Sequence, residues 1–231
     1  MKIAVLGGSF NPIHIGHLAL ADSVCVDKGY DKVIFIPTFI APHKNFSDIE
    51  NVTTEDRLNM VRLACESDSR FLVDSCEIDR GGTSYTFDTI CFLEQKYKDV
   101  LDEKIGLIMG DDLLPGFHLW HKAEEIAKKC TLILAKRPQG EKTDVKSMHE
   151  NTAKGDYGKV AHATVDENGK VIFDVKSEPL FSNAVFLSNP ELKLSSTDIR
   201  NRIACHKAFK YLVPDSVFKY IIESNIYENN K

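Results

Sequence analysis

The tightest constraint on the fold lies at the start of the chain. An apolar run, Ile3-Ala4-Val5-Leu6, meets Gly7-Gly8-Ser9-Phe10-Asn11-Pro12-Ile13 and then His14-Ile15-Gly16-His17. The apolar run reads as a buried strand. The two glycines are expected to let the backbone turn tightly and come close to a ligand. Helical character returns after Pro12, which places both histidines on the first turn of a helix and, being three apart, on one face. Backbone N–H groups and the positive end of the helix dipole then point the same way, an arrangement suited to phosphate. The pattern is not a Walker loop, which needs Gly-x-x-x-x-Gly-Lys-Ser/Thr. Nor is it a Gly-x-Gly-x-x-Gly dinucleotide fingerprint.

Later strand-like and helix-like runs alternate. Lys32–Pro37 reads as a second strand, and Thr53–Ser67 as a helix capped by Thr53 or Thr54 with Leu58, Val61 and Ala64 inward. Phe71–Cys76 reads as a third strand. A turn at Arg80-Gly81-Gly82 leads to a helix over Thr86–Tyr97, with Phe87, Ile90, Leu93 and Tyr97 inward. Lys104–Met109 and Thr131–Ala135 follow as strands, ending at Gly110 and at Arg137-Pro138. The alternation predicts an α/β fold: a Rossmann-like, doubly wound parallel sheet with helices on both faces. Ligands of such sheets bind beyond the carboxyl ends of the strands, where Gly7-Gly8, Pro37–Lys44, Gly110-Asp111 and Arg137-Pro138 all fall.

The rhythm breaks from Gln139 to about Pro179, a polar stretch read as an insertion or flap at about 139–180 within a single domain spanning residues 1–231. Within it, Val165–Phe173 looks like a hairpin with an Asn168-Gly169 turn. A strand near Ala184–Leu187 follows, then a helix opened by Ser195-Ser196-Thr197 with Ile199 and Arg200, and a C-terminal helical segment over Pro214–Ser224. The Ser-Ser-Thr hydroxyls are good helix caps. The same hydroxyls and amides also suit phosphate oxygens, with Arg200 adding a fork of donors.

With 231 residues, 43% of them hydrophobic, the chain can bury an ample core. Its net charge of -5 gives no global pull toward nucleic acid or anionic membrane, and no basic stripe suggests a DNA-binding regulator. No apolar run approaches the roughly 20 residues of a membrane helix. The opening strand leaves no room for a signal peptide. The six scattered cysteines read as reduced core thiols of a cytoplasmic protein, and a zinc site is not expected.

Together these segments resemble the bacterial nicotinate-mononucleotide adenylyltransferases of the nucleotidyltransferase superfamily. The resemblance spans nearly the whole chain: Gly7–His17; Ile36-Pro37 through Pro42-His43-Lys44; Glu77-x-x-Arg80-x-Gly82-x-Ser84-Tyr85-Thr86-x-Asp88-Thr89; Met109–Leu113; Leu119-Trp120; Leu134–Pro138; and Ser195-Ser196-Thr197-x-Ile199-Arg200. The first and last motifs mark the superfamily, whereas Ser84-Tyr85-Thr86 and Trp120 point to the nicotinate branch.

The resemblance implies transfer of AMP from ATP to nicotinate mononucleotide, giving nicotinate adenine dinucleotide and pyrophosphate in NAD biosynthesis. It makes His14, His17, Lys44 and Arg200 the catalytic set. ATP would be bound by Gly7, Gly8, Ser9, Phe10, His14, His17, Gly110, Asp111, Ser195, Ser196, Thr197, Ile199 and Arg200. Ser84, Tyr85, Thr86, Trp120 and His121 would receive the acceptor, its carboxylate at the amides around Tyr85 and Thr86 and its ring on Trp120. Mg²⁺ is expected to ride on the ATP phosphates, with no dedicated metal site in the protein. Neither nucleic acid nor membrane is an expected partner, and a homo-oligomer stays open.

Three positions depart from the family pattern: Asn11 where many members carry Asp, His121 where relatives carry an aromatic, and the long 139–180 insertion. The alternatives are an adenylyltransferase for nicotinamide mononucleotide or phosphopantetheine, or a non-catalytic nucleotide sensor.

Overall fold

The computed structural model describes residues 1–40, 52–136, 163–165, 171–173 and 178–228. Six strands, β1 (Ile3–Gly8), β2 (Lys32–Pro37), β3 (Phe71–Val73), β4 (Gly106–Gly110), β5 (Thr131–Ala135) and β8 (Val185–Leu187), form one parallel sheet in the order β3-β2-β1-β4-β5-β8. Between them run α1 (Ile15–Lys28), α2 (Thr54–Cys65), α3 (Cys76–Arg80), α4 (Thr86–Tyr97) and α5 (Ala123–Lys129), with α6 (Ser196–Ala204) and α7 (Asp215–Glu223) at the C-terminal end. Short 3-10 segments span Asp111–Leu119, Pro179–Phe181 and Lys210–Leu212. The doubly wound sheet and the C-terminal helices agree with the sequence expectation. A separate antiparallel pair, β6 (Ala163–Val165) and β7 (Val171–Phe173), flanks the expected turn, its first strand beginning two residues before the expected hairpin. Its Asn168-Gly169 turn and most of the 139–180 insertion lie outside the described residues.

Successive side chains of a strand point to opposite faces, and here both faces are covered. Ala4, Leu6, Val33, Phe35, Ile133 and Ala135 pack with Ala21, Val24, Met60, Val61, Ile199 and Val217 of α1, α2, α6 and α7. Ile3, Val5, Ile34, Ile36, Met109 and Leu134 pack with Ile90, Leu93 and Ile126 of α4 and α5. A sheet buried on both sides needs apolar residues at every position, which is why its strands read as unbroken runs.

Local chemistry sets the helix boundaries. Thr53 caps α2, its Oγ1 accepting from the Asp56 N–H at 3.0 Å while Asp56 Oδ2 accepts from the Thr53 N–H at 2.7 Å. The third strand is shorter than expected. Asp74 still donates its N–H to the Phe35 carbonyl at 3.1 Å, but its Oδ1 accepts from the Cys76 N–H at 3.0 Å, and residues 76–80 coil into α3 instead of extending. Gly81 and Gly82 both adopt positive φ, as the expected turn requires. Among the described residues no helix is long and apolar enough to cross a membrane.

Candidate active site

In a sheet of this order the crevice opens where the connections from β1 and β4 diverge. Gly8 ends β1 there, pairing with Pro37, and Gly110 ends β4, pairing with Ala135. The reversal after β1 is made differently from the sequence expectation. Gly7 and Gly8 continue the strand, and the chain turns at Phe10, with φ of 46°, and at the cis Asn11–Pro12 bond. The glycines matter for space. A Cβ on Gly8 would stand 3.2 Å from the Phe10 ring, whereas one on Gly7 would project into open space.

His14 caps α1 in an extended conformation, and His17 is its third helical residue. The His17 Nδ1 accepts from the His14 N–H at 3.2 Å, and the two rings stack with centroids 3.7 Å apart. Phe10, buried beneath, meets the His17 ring edge-on at 5.1 Å. Gly16 leaves room for this stack, because a Cβ there would lie 3.0 Å from His14 Nδ1 and 3.1 Å from its Cε1 and the ring would have to shift by a few tenths of an ångström. Expecting both histidines on the first turn was therefore correct to within the cap residue.

The distal cluster joins the same turn. Ser195 caps α6, accepting from the Asp198 N–H at 3.1 Å. Ser196 Oγ donates to the Pro12 carbonyl at 2.8 Å, and Arg200 Nη1 donates to the Asn11 carbonyl at 2.7 Å. The second arm of Arg200 reaches Thr197 Oγ1 at 3.2 Å. Ile199 is wholly buried in the core, so only its main chain can meet a nucleotide.

Two residues that sequence reasoning missed complete this clasp. Arg57 of α2, 3% exposed, donates from Nη1 to the Ser9 carbonyl at 2.7 Å. It lies one turn before Val61 on the inward stripe of α2, so a charge at an apolar stripe position was the available signal. Tyr227, buried beyond the last helix, donates from its hydroxyl to Asn11 Oδ1. Nothing local in the sequence marks it. Burial lowers the pKa of both arginines and raises that of Tyr227. Guanidinium remains charged under such shifts.

The other side of the crevice is built around the start of α4. Tyr85 is its extended cap residue, and its own side chain makes no capping hydrogen bond. Ser84 is buried; its N–H donates to the Ile40 carbonyl at 2.9 Å, and its Oγ accepts from the Phe39 N–H at 3.2 Å. Tyr85 faces His121 at 4.7 Å, so the residue after the tryptophan is the one that approaches the cap. Trp120 is half-buried against Phe117, ring centroids 5.3 Å apart. Asp111 is exposed just past β4. Lys44 lies outside the described residues, as do Pro42, His43, Arg137 and Pro138. Among the described residues no group of three or more His, Cys, Asp or Glu side chains is arranged to hold a metal ion.

A cytidylyltransferase-like family model matches residues 5–202. A "probable nicotinate-nucleotide adenylyltransferase" of Borrelia garinii subsp. bavariensis is 36% identical over 227 residues, covering 98% of this chain and 95% of the relative. A protein of the same name from Dehalococcoides mccartyi is 38% identical over 229 residues, covering 98% and 97%. Among solved structures, the Plasmodium falciparum nicotinic acid mononucleotide adenylyltransferase complexed with APC superimposes with a TM-score of 0.66. It covers 98% of this chain and 96% of the other at 15% identity, a likeness of fold. The family model and these full-length relatives place the chain, with its clasped turn at the switch point of the β3-β2-β1-β4-β5-β8 sheet, in the cytidylyltransferase-like family, among the nicotinate-nucleotide adenylyltransferases.

Proposed function

We propose that this chain transfers AMP from ATP to nicotinate mononucleotide. The mononucleotide's phosphate oxygen bonds to the α-phosphorus, the bond from that phosphorus to the α,β-bridging oxygen breaks, and pyrophosphate leaves. The attacking phosphate is mostly ionised at neutral pH, its second pKa being about 6, so no general base is needed. The work left to the protein is positioning two polyanions and stabilising charge that develops on the transferring and leaving groups.

The observation that carries this reading is the clasp of Ser196 and Arg200 on the Pro12 and Asn11 carbonyls. It sets the starts of α1 and α6 side by side, two positive helix ends facing one crevice. In this reading the α1 amides, His14 and His17 take the α- and β-phosphates. Because His17 Nδ1 accepts a hydrogen bond, a neutral His17 ring carries its proton on Nε2 and donates from there. Ser195, Ser196, Thr197, Arg200 and Lys44 meet the outer phosphates. Gly7 leaves room for the nucleotide, with Gly8, Ser9 and Phe10 shaping the turn beside it, and Gly110 and Asp111 lie on the adenosine side.

Mg²⁺ fits this donor set as a cation that arrives on the triphosphate and neutralises it, since the described side chains offer it no cage. The acceptor's carboxylate is received at the start of α4, with Ser84, Tyr85 and Thr86 framing it and Trp120 and His121 beside the ring. The cytoplasm is the proposed compartment, where all six thiols stay reduced. All six are free, and burial pushes Cys65, Cys76 and Cys130 up to about 12.

Pyrophosphate release from ATP, measured with each acceptor in turn, tests the reading. Release dependent on nicotinate mononucleotide, at least about tenfold more efficient than with nicotinamide mononucleotide, is expected. Release with phosphopantetheine alone reassigns the acceptor. ATP binding with no release under any acceptor makes the chain a nucleotide sensor.

A further inference from the structure

Behind the start of α4 lies a carboxyl group to which adenylyl transfer assigns no task. Glu77 of α3 is 6% exposed. Its Oε1 accepts from the Thr89 hydroxyl at 2.7 Å, and Arg80 Nη2 donates to that hydroxyl oxygen at 3.2 Å. Thr89 lies in the first turns of α4, and its N–H donates to the Tyr85 carbonyl at 3.2 Å. The Ser84 and Thr38 hydroxyls lie near enough to favour its charged form, yet the buried Glu77 Oε2 has no hydrogen-bond partner among the described residues. Ser84 in turn holds Phe39 and Ile40 through its Oγ and N–H. One buried acidic side chain thus sits where α3, the entrance to α4 and the chain leaving β2 converge.

Burying a carboxyl is costly unless its hydrogen bonds are supplied, and an apolar residue of similar volume fills such a place at less cost. A polar group kept there is explained by what it orients. What it orients is the segment from Ser84 to Thr86, whose amides must converge on an anion to within tenths of an ångström to be selective. Burial, opposed by the Thr89 and Ser84 hydroxyls and by Arg80, raises the Glu77 pKa above the usual carboxylate range.

We propose that Glu77 is a positioning residue which, through Thr89, fixes the entrance of α4 and so sets the preference for a mononucleotide bearing a carboxylate over one bearing a carboxamide. The proposal rests on the adenylyltransferase reading above and adds the residue that enforces its acceptor choice. Loosening the entrance costs a carboxylate more than a neutral amide, because the anion draws more from converging amides.

Full-length wild type, Glu77→Ala, Glu77→Gln and Thr89→Val are compared in steady-state kinetics with nicotinate and nicotinamide mononucleotides, alongside thermal unfolding. Glu77→Ala is expected to raise KM for nicotinate mononucleotide about tenfold, leave KM for ATP within about twofold, and lower the ratio of kcat/KM between the two acceptors at least about fivefold. Glu77→Gln, which keeps an acceptor for Thr89, recovers most of that ratio. Thr89→Val removes the same hydrogen bond from the other side and decides the matter if Glu77→Ala does not fold. An acceptor ratio unchanged in the folded variants, with only the melting temperature lowered, overturns the positioning role while leaving the adenylyltransferase reading intact. Wild-type protein that ignores nicotinate mononucleotide overturns both.

Discussion

The Arg200 guanidinium donates to the Asn11 carbonyl at 2.7 Å, joining residues 189 apart in the chain. One arm of the fork holds the turn after β1, and the other holds Thr197 at 3.2 Å. The same side chain therefore shapes the two segments proposed to enclose the triphosphate and lends them its charge. Arg200→Lys keeps the charge but loses the planar fork. Its kcat/KM for ATP is expected to fall about a hundredfold, read from pyrophosphate release, with ATP affinity lowered less than turnover. Retention of near wild-type turnover means the fork is not needed.

His17→Ala removes both a proposed transition-state donor and the acceptor for the His14 N–H. Losing the latter resembles losing a helix cap, about 1 kcal/mol. That corresponds to a melting temperature lower by about 2–4 °C for a chain of this size. Turnover should fall far more, by about a hundredfold or beyond. The two readouts separate catalysis from capping: parallel, modest losses in both would assign His17 to structure alone.

Gly16→Ala is a steric probe of the imidazole stack. The added methyl would stand 3.0 Å from His14 Nδ1, and His14 is already stacked on His17. Alanine is the better helix former by up to about 1 kcal/mol, so stability should change little. Activity is expected to drop at least about tenfold as the His14 ring is displaced. Unaltered kinetics would show that the ring yields without consequence.

Tyr227→Phe deletes one hydroxyl and leaves the buried Asn11 side-chain oxygen without its donor. Such a loss costs about 1–3 kcal/mol. A fall in melting temperature is expected together with a several-fold rise in KM for ATP, while KM for the mononucleotide stays near wild type. Equal effects on both substrates would argue against a specific hold on the turn.

Acid stability should report on Asp56. Burial opposes its charge, but hydrogen bonds from Thr53 and from the Tyr220 hydroxyl at 2.8 Å outweigh it and lower its pKa. A carboxyl whose folded pKa is depressed stabilises the fold above its unfolded pKa of about 3.9, and that contribution is lost as pH falls through the folded value. Asp56→Asn should therefore lower the melting temperature by about 2–4 °C near pH 7, with the gap to wild type closing toward pH 3. A constant gap across that range would remove Asp56 from the acid response.

Much of the architecture was legible because it is local. Apolar runs marked β1, β2 and β5, the Thr53 and Ser195 caps marked where α2 and α6 begin, and the spacing of Ile90 and Leu93 marked the buried side of α4. Each signal resides in hydrogen bonds and side-chain spacings within a few residues. The third strand ends earlier than its apolar pattern implies because Asp74 turns the chain through a bond to the Cys76 N–H only two residues on, a local signal that the pattern of apolar residues does not carry; the turn after β1 falls beyond Gly7-Gly8 because pairing of Gly8 with Pro37 lies outside any local window.

By itself, then, the sequence determined the alternation of strands and helices, the two-faced apolar sheet and the residue types of both motifs. Only the tertiary structure decided that Ser196 and Arg200 grip Pro12 and Asn11, that Arg57 and Tyr227 brace the same turn, and that Glu77 sits behind the start of α4. The physical reason is range. Periodicity and capping act between neighbours, whereas these contacts join residues from 12 to 216 positions apart. Glu77 and Thr89 meet when two successive helices pack, and the longer-range pairs meet only after strand order and crossover direction have carried distant segments to one end of the sheet.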